Sequence, residues 1–155
     1  ILFQRCKAIF WLLIIANLER WCDNMGGRGT FAAGNSVPYS YKTVGFIDGV
    51  KVLEGINGKH ALPESSHSSD AYIKLKPDGT FHEMRIYNKN HTLSIEIAYH
   101  PEKSLTGDNH TPVLHYHAYD ERFSQNKIGA FGRTNARLLT EEMKQKYGKY
   151  FKGIK

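Results

Sequence analysis

After residue 42 the chain alternates apolar and polar positions with a period of two, the spacing of strands that bury one face. Thr43 to Ile56 holds two short β-rich runs around Asp48-Gly49, a dipeptide that favours a two-residue hairpin turn. From Ala71 to Lys76, Ile73 and Leu75 fall on the face opposite Tyr72 and Lys74, and Lys76-Pro77-Asp78-Gly79 reads as a turn. Thr80 to Tyr87 then returns antiparallel, and Asn88-Lys89-Asn90 turns the chain again. In the next run Leu93, Ile95, Ile97 and Tyr99 share one face, while Ser94, Glu96, Ala98 and His100 share the other. Pro112 to Tyr119 supplies a further strand, and the Gly-punctuated stretch 123–135 reads as loop. Near the end the period becomes helical: Leu139, Met143, Tyr147 and Phe151 recur every four residues behind Thr140, an N-cap followed by Glu141 and Glu142. The pattern predicts an α+β fold: an antiparallel β-meander of four to six strands with a C-terminal amphipathic helix packed on it.

The first 41 residues do not share this pattern. Residues 8–16 form an apolar run after Arg5 and Lys7, resembling the core of a signal peptide but too short for a helix to span about 30 Å of hydrocarbon. No small-residue cleavage pattern follows it, and Met25 offers an alternative start, so 1–24 reads as an upstream segment or a short apolar helix. Residues 25–41 read as a flexible Gly-rich arm and 42–155 as a single α+β domain. At 155 residues one core is the expectation, and 41% hydrophobic residues exclude a disordered chain. Cys6 and Cys22 lie too near one end to organise a disulfide framework. No membrane association is expected.

Charge and histidine change the picture. The net charge of +6 resides in residues 121–155, where nine Lys/Arg face three Glu. A basic tail beside a neutral body suits a polyanionic partner such as nucleic acid, whose condensed counterions are released on binding. Four of the eight histidines, His100, His110, His115 and His117, fall within 18 positions. On a strand, His115 and His117 project from one face about 7 Å apart. Such a pair either chelates a metal or exchanges protons as acid and base. For metal-independent cleavage of RNA the candidate catalytic residues are His115, His117, Arg85, Glu96 and His100. His115 and His117 would exchange protons, Arg85 would stabilise developing charge, and Glu96 would orient an imidazole. Lys59, Arg133, Lys144 and Lys149 are candidate contacts to the polyanion. On the acid–base reading no cofactor is required; on the metal reading zinc would be held by His110, His115 and His117.

Met25-Gly26-Gly27-Arg28-Gly29, Arg85-Ile86-Tyr87-Asn88, Glu96 to His100 and His110 to His117 together resemble small proteins encoded by phages and prophages of Gram-positive bacteria beside portal and minor head genes. The resemblance covers roughly residues 25–155. It implies a protein of the host cytoplasm or the virion; the histidine pattern, not the resemblance, makes a toxin-like ribonuclease the first functional expectation. A non-catalytic accessory to head, portal or DNA packaging is the second, and a small His-ligated zinc domain the third.

Overall fold

The computed structural model describes residues 41–56, 61–120 and 132–155. The apolar run, the Gly-rich arm up to residue 40 and Lys59 lie outside the described residues, and Tyr41, expected at the end of the arm, opens the first strand. Seven strands form one sheet in sequence order: β1 (Tyr41–Ile47), β2 (Val50–Gly55), β3 (Ala71–Leu75), β4 (Phe81–Tyr87), β5 (Leu93–Pro101), β6 (Pro112–Ala118) and β7 (Arg137–Leu138). A short helix α1 (Lys103–Thr106) lies between β5 and β6, and α2 (Glu141–Tyr147) follows β7 and continues as a single 3₁₀ turn, Gly148–Tyr150. The fold is α+β, with a longer sheet and a smaller helix than the periodicity suggests.

Local chemistry accounts for the turns. Asp48 and Gly49 both adopt positive φ, 47° and 79°, the requirement of a two-residue hairpin whose twist matches its strands. Gly79, with φ 84°, closes the β3–β4 turn through its amide to the Lys76 carbonyl at 2.9 Å. Thr140 caps α2 by accepting the Met143 amide at 3.2 Å.

The meander expectation holds from β3 to β6, whose successive pairs are antiparallel, but β2 pairs with β3 in parallel. A parallel pair needs a crossover rather than a hairpin. Its described part, residues 61–70, runs across one sheet face and is held there by backbone and side-chain bonds. The Leu62 carbonyl accepts from Arg85 Nη1 at 2.6 Å, the Pro63 carbonyl accepts the Tyr87 hydroxyl, and the Glu64 carbonyl accepts the Leu93 amide at 3.2 Å. The sheet is therefore covered on both faces over part of its area, not on one.

Each face has its own apolar cluster. Val52, Ile73, Met84 and Ile97 face α2, where Leu139, Met143, Tyr147 and Phe151 pack as the four-residue spacing requires. Tyr41, Leu53, Leu62, Tyr72, Tyr87 and Leu93 form the cluster under the crossover. Leu93 belongs to this second cluster because a register shift between Ile86 and Tyr87 pairs Tyr87 with Leu93 and Ile86 with Ile95. The extra residue turns Leu93 away from Ile95, against strict alternation. A second shift, where Leu75 pairs with Phe81 and Lys74 with Glu83, leaves His82 unpaired. Phe81 then packs with Met84, its ring 4.9 Å from that of Phe151.

Candidate functional site

The register of β4, β5 and β6 assembles the polar groups. Arg85 lies opposite Glu96, and Glu96 opposite His117; Glu83 lies opposite Ala98, and Ala98 opposite His115. Two-residue alternation puts Glu83, Arg85, Glu96, Ala98, His100, His115 and His117 on the face away from α2. The bulge at His82 brings that ring to 6.2 Å from His100. His100 stands 4.7 Å from His115, and His115 stands 5.5 Å from His117, both edge-on. Four imidazoles thus form a row, of which His115 and His117 are buried.

Three of these rings are pinned in the same way. His100 Nδ1 meets the Pro101 carbonyl, His115 Nδ1 the Val113 carbonyl and His117 Nδ1 the Thr134 carbonyl, each at 2.9 Å. A carbonyl only accepts, so each Nδ1 carries the proton and each Nε2 keeps a lone pair. His115 Nε2 is buried and, among the described residues, has no hydrogen-bond partner. Burial also holds the His115 imidazole below its ordinary pKa, with further lowering by the neighbouring imidazoles His100 and His117.

Glu102 is the residue that sequence reasoning missed. It caps α1, where Ser104 donates through its hydroxyl at 2.6 Å and its amide at 3.2 Å. These bonds hold its carboxyl below the ordinary range, hence ionised at neutral pH. One ligand atom each from Glu102, His115 and His117 lie within 4.8 Å of one another, an arrangement that can hold a metal ion. Glu102 continues the even-numbered face Glu96, Ala98, His100 past the strand end, a signal available in the sequence.

His110 does not belong to this group. It is exposed in the turn before β6, its amide donating to Asp108 Oδ1 at 2.7 Å. Arg85 and Glu96 are placed close to the histidines but are engaged with other partners. Arg85 donates from Nε to Glu96 Oε2 at 2.9 Å, and its Nη2 sits 2.7 Å from the same oxygen. Glu83 Oε1 is also 2.7 Å from Arg85 Nε but receives no aligned hydrogen bond. Burial therefore prevails at Glu83 and raises its pKa despite Arg85. At Glu96 burial is outweighed by Arg85 and Arg133, and the pKa falls. Burial opposes the charge of Arg85 as well, yet Glu83 and Glu96 overcome it and raise its pKa.

Arg133 Nη2 stands 3.5 Å from Glu96 Oε1, and its Nε donates to the Tyr119 hydroxyl at 2.8 Å. Burial, then Glu96, pushes the Tyr119 phenol up to about 12. Lys144 and Lys149 are exposed and pair with Glu141 and Asp48 on the α2 side. Tyr87 is buried and Tyr99 and Tyr116 pack against the α2 cluster, so these rings contribute to the two cores.

No protein-family model matches the chain, and neither the curated proteins nor the solved structures yield a match. The described residues define an α+β sheet protein with a His/carboxylate cluster on one face.

Proposed function

We propose that the chain is a small metal-binding domain in which Glu102, His115 and His117 hold a transition-metal dication, zinc by ligand chemistry. The observation that carries this reading is His115 Nε2, a buried lone pair with no partner among the described residues, beside a second imidazole and an ionised carboxylate. An unsatisfied buried polar atom costs about 1–3 kcal/mol, and a bound cation would satisfy it. Nδ1–H bonded to a backbone carbonyl is also the usual support of a ligating imidazole, fixing its tautomer and orientation. Two nitrogens and one carboxylate suit zinc, whereas magnesium and calcium require more oxygen ligands. Bound zinc would supply a Lewis acid with a position open to an exchangeable ligand.

Calorimetric titration with zinc tests the reading. One equivalent per chain is expected, with affinity falling at least about tenfold in His117→Ala and in Glu102→Gln. Wild-type protein that takes up no zinc sinks the proposal.

A second reading is favoured by the convergence of His100, His115 and His117 on one face. Without metal, one imidazole with a bare Nε2 could take the proton of the 2′-hydroxyl while a second, protonated imidazole gives its proton to the leaving oxygen, which cleaves RNA. Exposed Arg137, Lys146, Lys152 and Lys155 support a polyanionic partner for either reading. RNA cleavage that resists chelators and disappears in His115→Asn would replace the metal reading with this one.

A further inference from the structure

We infer that the exchangeable ligand of this metal site is an oxyanion, a phosphate or phosphodiester oxygen, and that Arg133 recognises it. The inference rests on the metal reading and names what that site takes.

The backbone of Arg133 is tied to the strand that carries the site through its neighbour Thr134. Thr134 is clamped to β6: its amide donates to the Ala118 carbonyl at 2.9 Å and its hydroxyl accepts the Ala118 amide at 2.9 Å. The same residue's carbonyl holds His117 Nδ1. Arg133 is thereby fixed one residue from a contact to a metal ligand. Its guanidinium lies against Glu96, the residue directly opposite His117 in the β5–β6 register.

The charge around it is unbalanced. Arg85 occupies Oε2 of Glu96 and Arg133 approaches Oε1, so two guanidiniums share one carboxylate. Glu83, the other acid against Arg85, is pushed by burial toward its neutral form. Arg85 is enclosed, while the Arg133 side chain keeps 33% of its surface exposed. Of its five N–H donors, Nε serves Tyr119 and one Nη2 hydrogen approaches Glu96 at the loose distance of 3.5 Å. Among the described residues the others have no further hydrogen-bond partner.

Three protein ligands leave a zinc ion one position for an outside group. An oxyanion places one oxygen on the metal and another on the guanidinium, whose fork matches its geometry. Water or a neutral carbonyl would use the metal alone, and a cation would meet the surplus positive charge.

The test is calorimetry on the zinc-loaded full chain with inorganic phosphate and, separately, a dinucleoside monophosphate. Phosphate should bind the loaded protein and not the zinc-free one. Arg133→Gln should weaken it at least about tenfold, with Arg133→Lys intermediate and zinc stoichiometry unchanged in both. Unchanged thermal melts establish that the variants fold; the lysine variant carries the comparison if the glutamine variant does not. Tighter binding of the dinucleotide assigns the oxyanion to a nucleic-acid backbone, and tighter binding of phosphate to a monoester or free anion; either supports the inference. Equal phosphate affinity in wild type and both variants, or in loaded and zinc-free protein, overturns it while leaving the metal site standing. Absence of zinc binding overturns both.

Discussion

At the scale of single residues, Glu83 and Glu96 flank one guanidinium yet differ in what they contribute. Glu96 accepts an aligned hydrogen bond from Arg85 Nε and an ion-pair contact from Nη2, while Glu83 touches Nε off-axis. Glu83→Gln should therefore leave the urea midpoint nearly unchanged, whereas Arg85→Ala, which strands two buried carboxylates, should cost about 3–5 kcal/mol. A large loss in the glutamine variant would contradict this difference. Histidine sets the response to pH. Burial lowers the pKa of both His115 and His82, the latter aided by Lys74. The unfolded chain then takes up protons near the ordinary value of about 6.5 while the folded one resists, so ν_U exceeds ν_N below that value. Stability of the metal-free protein is expected to be full above about pH 6.5 and to decline as pH falls toward the lowered pKa values. Urea titrations at neutral and mildly acidic pH check the sign, and the slope should shrink in His82→Asn. Much of this site was legible in advance: the one-residue spacing places His115 and His117 together, and even-numbered alternation extends to Glu96 and His100. The engagement of Arg85 was legible only in part: Glu83 lies two residues away on the same face of β4, whereas Leu62 comes from a crossover with no periodic signature.

Among elements, the strands with strong alternation and the capped helix were readable, and the departures come from one-residue irregularities. A bulge leaves composition untouched but reverses every side chain on one side of it. Leu93 and His82 sit where they do for that reason. β7 has two residues, both exposed, and carries no apolar alternation to detect. α2 ends at Gly148, which serves as its C-cap, and the apolar spacing continues through the 3₁₀ turn to Phe151. The chain end is anchored beyond it: the Phe81 amide donates to the Lys152 carbonyl at 2.8 Å, and Gly153 adopts φ 76°. A Cβ there would stand 3.3 Å from Thr80 Oγ1 in a conformation L-residues avoid. Gly153→Ala is expected to destabilise by about 1 kcal/mol or more, read as a lowered melting temperature. Gly148→Ala, which meets open space and has helical φ of −54°, should be neutral or stabilising.

For the molecule as a whole, the two faces of the sheet do different work. One is closed by α2 over an aliphatic and aromatic cluster; the other carries the crossover at one end and the imidazole row at the other. The parallel arrangement of β2 and β3 was hidden from local sequence, since the hairpin signal at Asp48-Gly49 and the turn at Pro77 each speak only for their own pair. Its consequence concerns how the protein breathes. The described seam between β2 and β3 spans two residue pairs, Lys51 with Tyr72 and Val52 with Ile73, whereas β5 and β6 share seven. The β1–β2 hairpin is thus expected to peel away as a unit before the remainder unfolds. Amides of residues 41–55 should exchange with deuterium sooner than those of Ile97 or His115. In that partly open form the bared rim of β3 becomes a docking edge for an identical hairpin from another molecule, so crowding or concentration would select for strand-exchanged dimers with the histidine row still intact.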